Sequence, residues 1–302
     1  MASKGGEAVL EETRFSFGEN WSQFLKTVDD YALREAEQSL CTSLGVRTLE
    51  GKSFLDIGSG SGLFSLAAWR LGARVCSFDI DEHSVECTRQ LRMEHADGDP
   101  GWQVKTGSAL DRDFLNGLGR FDVVYSWGVL HHTGNMWNAI ENAIECIAPT
   151  GQFFIAIYND QGPVSLRWRK IKKLYNRVPR WFRWMILSAA LLRIWGPTTV
   201  RDFLRLKPFH TWRTYKSNRG MNAWRDVVDW VGGYPFEVAK PEEIIQLCNE
   251  HDLRLTKLRT CGGGRGCNEF VFSKDASNGR DSSPKIAPAE QGDFQDSAGQ
   301  KD

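Results

Sequence analysis

The sequence predicts a doubly wound α/β fold with seven strands in a mostly parallel sheet, and three observations carry that expectation. From residue 53 to 158, short apolar runs alternate with helical segments: SFLDIG, SLAAWRLG, RVCSFDID, a helix from Glu82 to about Met93, WQVKT, FDVVYSWG, a helix from Met136 to Ile147, then GQFFIAIY. Strand and helix in that rhythm make a parallel sheet covered on both faces. After a break, PEEIIQLCNEHD, LRLTKLRT and NEFVFSK restore it with one helix and two strands. The first apolar run also ends in a glycine-rich turn, FLDIGSGSGLF, where such sheets bind ligands.

The remaining segments follow from the same reading. Residues 1–52 begin polar and then place Phe24, Val28, Tyr31, Ala32 and Ala36 at helical spacing before Gly51, a helical prelude to the core at 53–158. Residues 159–240 interrupt the alternation and form a helical cap, 241–274 complete the core, and Ser, Gly, Asp, Gln and Pro dominate 275–302, a tail expected to be disordered.

Composition narrows the function classes. The 302 residues, 41% hydrophobic and 25% charged, suffice for one core with an elaboration. Lys+Arg and Asp+Glu both number 38, so overall charge points to neither a nucleic-acid nor an acidic partner. The seven cysteines contain no CxxC pair and MASKGGEAVLEETR lacks a signal peptide's apolar core, which together suggest a reduced, cytoplasmic protein. No apolar run approaches the roughly 20 residues that span a bilayer. Cys261 and Cys267 have no further Cys or His at ligand spacing, so no metal is expected.

The glycine turn supplies the first chemistry. Gly58, Gly60 and Gly62 allow a tight turn and bring backbone N–H groups close to a ligand. A nicotinamide fingerprint, GxGxxG, would need glycine at position 63, which is Leu63. Asp56 sits at the end of the first strand, and Asp79, at the end of the second, stands where a carboxylate can accept both hydroxyls of a ribose.

With VCSFDID (75–81), TGSALD (106–111) and FDVVYSWGVLHHTGN (121–135) following in order, this pattern resembles the class I S-adenosylmethionine-dependent methyltransferases, strongly over 53–158 and weakly over 240–273. The resemblance implies a Rossmann-like sheet whose last strand is antiparallel and a cofactor, S-adenosyl-L-methionine. It also implies that Asp56, Gly58, Ser59 and Gly60 cradle the methionine part, Asp79 the ribose, Ile80 and Ala109 the adenine faces, and Ser126 with Trp127 the sulfonium side. The family often carries an acidic residue after the glycine of the third motif, to hold the adenine amino group; Ser108 stands there and can still hydrogen-bond.

Methyl transfer from a sulfonium is an in-line displacement that depends on alignment and exclusion of water. A base is required when the acceptor is a hydroxyl, a phenol or a protonated amine. His131 and His132, just after the fourth strand, and Asp160, beside Tyr158 and Asn159 after the fifth, are the candidate catalytic residues; packing behind the pocket, or capping a turn, is the alternative for each.

Substrate identity is expected in the cap. Between Gln161 and Gly220 stand 15 Lys/Arg and one acidic residue, Asp202. Trp168, Ile171, Leu174 and Val178 recur at helical spacing beside a Lys170, Lys173, Arg177 face, and WFRWMILSAALLRIWG resembles an interfacial helix with Trp and Arg at both edges. The cap reads first as an acceptor lid, second as a lid that also touches an anionic membrane or a lipid-like acceptor such as a quinone precursor; RNA ranks behind because no RNA-binding module accompanies it. Trp230, Tyr234, Phe236 and the CGGGRGC loop can complete the pocket, and Phe17 with Trp21 can cover the cofactor. The expected activity is methylation of an oxygen on a small, partly hydrophobic molecule; nitrogen, sulfur, RNA or protein acceptors and a non-catalytic cofactor-binding role are the alternatives, and oligomeric state is not legible.

Overall fold

Seven strands, β1 (Ser53–Ile57), β2 (Arg74–Asp79), β3 (Trp102–Thr106), β4 (Phe121–Trp127), β5 (Ile147–Tyr158), β6 (Leu253–Arg259) and β7 (Cys267–Lys274), form one sheet in the computed structural model, which describes residues 30–213 and 223–274. Their order is β3-β2-β1-β4-β5-β7-β6. The first five pair in parallel, and β7 runs antiparallel to both β5 and β6. The order reverses between β1 and β4, so the crevice at their carboxyl ends is the topological switch point.

Helices cover both faces because the strands are apolar on both. Helices α1 (Asp30–Leu44), α2 (Leu63–Arg70) and α3 (Glu82–Ala96) bury Leu40, Ala67 and Leu91 with Phe54, Val75 and Tyr125 of the sheet. On the other face α4 (Arg112–Leu118), α5 (Met136–Glu145) and α9 (Pro241–Glu250) bury Leu115, Ile140 and Ile244 with Leu55, Val124 and Phe272.

Two helical stripes differ from those predicted. In α1 the buried positions are Leu33, Ala36, Leu40 and Leu44, while Tyr31 is exposed; the larger leucines win the core, and the face runs one position away from the Tyr31, Ala32 line. Phe24, Val28, Phe17, Trp21 and the tail at 275–302 lie outside the described residues. Helix α4 was not anticipated. It is short, but Asp111 caps it by accepting the Phe114 amide at 3.0 Å, and the Phe114 ring meets Phe78 edge-on at 5.2 Å.

The cap segment contains α6 (Pro163–Arg177), α7 (Arg180–Leu204) and α8 (Ala223–Gly232), which share a core of Trp168, Tyr175, Leu187, Val227, Val231 and Phe236. Here the α6 stripe also departs from the spacing: Leu174 is exposed and Lys172 is fully buried. Two α6 side chains explain why. The Lys172 ammonium donates to the Trp230 carbonyl and Asn176 Nδ2 donates to Gly232 O at 2.7 Å, so both satisfy the last carbonyls of α8, at its negative end. The ammonium also lies 4.4 Å from the Trp230 ring centroid and 4.6 Å from that of Phe236.

Burial pulls the Lys172 amine from 10.5 down to about 7, with Asp229 opposing. The folded value lies below the unfolded one, so the stability tied to this group is present above 10.5 and is lost as pH falls toward about 7. Lys172→Met is expected to remove that slope: the urea midpoint of the wild type should fall relative to the variant across this window, as unfolding followed by circular dichroism would record.

Candidate active site

The turn between β1 and α2 is built from glycines in left-handed conformation, with φ of +76° at Gly58, +55° at Gly60 and +81° at Gly62. The Gly58 and Ser59 amides both donate to Phe78 O, at 2.8 and 3.1 Å, which pins the turn to β2. A Cβ on Gly58 would stand 2.4 Å from Val129 Cγ1, so the loop after β4 closes directly on this turn. Ser59 turns its hydroxyl toward α3, 2.9 Å from Thr88 Oγ1.

Asp79 holds the turn from the neighbouring strand. Its Oδ2 accepts the Gly60 amide and its Oδ1 the Asp81 amide, both at 3.0 Å. Burial raises its pKa, and those amides oppose the rise. A carboxylate has about four acceptor positions, so two such bonds leave capacity on both oxygens. Beside it Ile80 is 45% exposed, an apolar surface at the crevice.

Three other predicted binding residues face inward instead. Asp56 is buried beneath α2, where it accepts from Ser65 Oγ at 2.5 Å; Ser65 in turn meets Ser77, which accepts from Trp102 Nε1 at 2.8 Å. Ser126 is fully buried and donates to Ile57 O at 3.1 Å, tying β4 to β1. Ala109 is buried, with its carbonyl taken by Asn142 Nδ2 at 3.0 Å. In each case the polar group serves the scaffold under the crevice, because no water reaches it there. Ser108 Oγ accepts the Leu110 amide at 3.1 Å, and Trp127 is half exposed with Nε1 donating to Glu269 Oε1 at 3.2 Å.

The two histidines differ sharply. His131 is fully buried, its ring 3.9 Å from that of Tyr158 and 4.5 Å from that of His132. Burial, then His132 and Lys172, hold its pKa well below the ordinary histidine range. His132 is half-buried, and its Nδ1–H donates to Pro235 O at 2.6 Å, which leaves Nε2 as the nitrogen with a lone pair. Asp160 caps its own turn, accepting the Gly162 amide at 2.8 Å, and lines a cleft of about 320 Å³ with Leu166, Arg169, Phe236 and Glu237.

Glu237, beside the cleft, is the structural residue that sequence reasoning passed over. Its Oε2 accepts the Gly134 and Met136 amides at 3.0 and 3.1 Å, capping α5 from about a hundred positions downstream, and its own amide donates to His131 O. With Pro235 on His132, the segment 235–237 is stitched along 131–136. Its neighbours Tyr234 and Phe236 were singled out by their aromatic rings; the only sign of Glu237 was an acid inside an apolar run. No group of three His, Cys, Asp or Glu side chains arranged to hold a metal occurs among the described residues.

A glycine turn at the switch point and a carboxylate at the end of β2 thus meet in a crevice of a seven-stranded sheet whose β7 is antiparallel. The family described as "Methyltransferase domain" matches residues 31–222, and the chain belongs to it, as a class I S-adenosylmethionine-dependent methyltransferase domain. It is similar to the ubiquinone biosynthesis O-methyltransferase of Methylobacterium sp. (strain 4-46), 30% identical over 160 residues that make up 53% of this chain and 55% of that one. The ribosomal protein L11 methyltransferase of Helicobacter hepaticus is 28% identical over 123 residues, 37% and 38% of the two chains. The chain thus spans only about half, or less, of the length of these curated relatives. In fold it is similar to PKMT2 from Rickettsia typhi, solved with AdoHcy, at a TM-score of 0.52 and 13% identity over 79% of this chain and 52% of that one.

Burial raises the Asp56 carboxyl from 3.8 to about 7, with Ser65 opposing and Asp79 adding to the rise. A raised folded value means that stability present below 3.8 is lost as pH climbs toward about 7. Asp56→Asn should therefore melt higher than the wild type at and above pH 7, with the difference shrinking as the solution is acidified, in scanning calorimetry.

Proposed function

We propose that this enzyme methylates an oxygen of a small, partly hydrophobic molecule, with the cofactor held between the 58–62 turn and Asp79. The observation that carries the cofactor assignment is Asp79: it organises the turn through Gly60 and still has acceptor capacity toward a ribose diol. Ile80 offers an apolar plate for an adenine, and the close approach of Val129 to Gly58 puts the loop after β4 against the methionine end. Ser59, Ser108 and Trp127 complete the contacts in this reading. Asp56, Ser126 and Ala109 act through the scaffold beneath.

When bound, S-adenosylmethionine supplies an electrophilic methyl on a sulfonium centre. The chain's part is to align an acceptor with it and keep water away. The lid and the segment 235–237 supply aromatic walls, Phe236 among them, beside Asp160 and Arg169 in the cleft. A hydroxyl acceptor must lose its proton, and His132 takes it at Nε2, with Nδ1–H fixed on Pro235 O. His131 is a positioning residue, stacked behind His132 and Tyr158. The relatives of ubiquinone biosynthesis are O-methyltransferases by name, which supports oxygen as the acceptor atom.

The test is transfer of labelled methyl from S-adenosylmethionine into a fractionated cell extract. Label in a solvent-extractable small molecule is the expected result; label in protein or RNA, or no label anywhere, would overturn the reading. With an acceptor in hand, His132→Ala should lower kcat by about 10²-fold or more, as loss of a general base does. His131→Asn should leave the shape of the pH profile unchanged, since its ring already stays neutral through the neutral range.

A further inference from the structure

Helix α7 presents apolar residues on two opposite sides. Leu187, Ala190 and Ile194 pack into the lid core. On the other side Trp181, Trp184, Met185, Leu192, Val200 and Phe203 are each between 51% and 71% exposed. At about 100° per residue these six fall within an arc of about 160°, and they extend about 33 Å along the helix. Trp181 is stacked on Phe182 at 3.7 Å, so the amino-terminal end of the stripe is a broad aromatic surface. An exposed stripe of this length on one helix marks an interaction surface.

The charges around the stripe are of one sign. Arg180 and Arg193, both exposed, border the stripe on its two sides, and Arg201, Arg205 and Lys207 are exposed further along the helix and just beyond it. Asp202, the single acidic residue between Gln161 and Gly220, is buried and accepts the Thr211 amide and hydroxyl at 2.8 and 2.9 Å. A second copy of the chain, packed face to face, would bring like charges together. A nucleic acid would need ring faces along the groove, and Met185, Leu192 and Val200 provide none. Among the described residues no helix is long and apolar enough to cross a membrane. Apolar and aromatic side chains on one side, flanked by arginines, suit a helix lying in the plane of a negatively charged lipid surface.

We propose that α7 is a docking helix for an anionic lipid membrane, with the stripe from Trp181 to Phe203 seated at the boundary of headgroups and acyl chains and the flanking arginines on lipid phosphates. The lid then sits at the surface from which an apolar acceptor would enter. This deepens the reading of a partly hydrophobic acceptor, but membrane binding is measured without turnover, so its failure leaves that reading standing.

The test is co-sedimentation of the full chain with vesicles of phosphatidylcholine alone and of equal parts phosphatidylcholine and phosphatidylglycerol. Binding to the mixed vesicles, weakened by salt and little seen with phosphatidylcholine alone, is expected. The double variant Trp184→Ser, Leu192→Ser should bind about tenfold more weakly, at unchanged melting temperature. A second pair, Arg180→Glu and Arg193→Glu, should lose the preference for the mixed vesicles. Absence of wild-type binding would overturn the proposal, as would undiminished binding by both double variants. So would a stripe variant whose only change is a dimer falling to monomers or a loss of RNA retention.

Discussion

The Asp79 carboxylate holds two loops at once, accepting the Gly60 amide from the turn after β1 and the Asp81 amide from the turn after its own strand. The glycines of a left-handed turn have no side chains with which to fix it, so its shape depends largely on what its N–H groups meet. Here Phe78 O and Asp79, both at the end of β2, meet three of them. The crevice therefore exists only where β1 and β2 are in register. That register, Asp56 beside Ser77, also brings Ser65, Ser77 and Trp102 together under the turn. A buried polar layer supports a polar crevice, and each hydrogen bond in the layer is one that water cannot replace.

A second pair of ionisable side chains, Lys172 fully buried and Glu237 partly so, joins the cap segment to the core. Lys172 and Glu237 each satisfy backbone groups at a helix end, one at the carbonyls of α8 and the other at the amides of α5. Both sit beside the 131–136 segment: Glu237 through direct bonds, Lys172 through the aromatic cluster of Tyr158, Trp230 and Phe236. A rearrangement of the cap segment would thus be felt at His132, whose ring is fixed by Pro235 of the same strap. The link runs through packed side chains and backbone bonds, so it has a physical route and not only proximity.

Much of this was legible in the sequence. The alternation of apolar runs with helical spacing yielded all seven strands, and the glycines with Asp79 located the crevice, because both signals are local. What escaped was long-range. Nothing in FLDIG says that Asp56 points under the helix and not into the crevice; that follows from Ser65 and Ser77, which the fold brings from other elements. Lys172 was not singled out, because it stands in a basic run and only the carbonyls of α8, far along the chain, take it into the core. The α1 stripe held at Ala36 but missed Leu33, because Tyr31 and Ala32 fit the spacing as well as Leu33 does and only packing chooses between them. Helix α4 was too short for periodicity and was announced by a single residue, its cap Asp111.

The most direct measurement is calorimetric titration of the protein and of Asp79→Ala with S-adenosylhomocysteine. The account predicts saturable binding by the wild type and at least a tenfold loss in the variant, with the fold retained by circular dichroism, since both the turn and the proposed ribose contact depend on that carboxylate. Wild-type protein that gives no binding heat, or a variant that binds as tightly as the wild type, would contradict it.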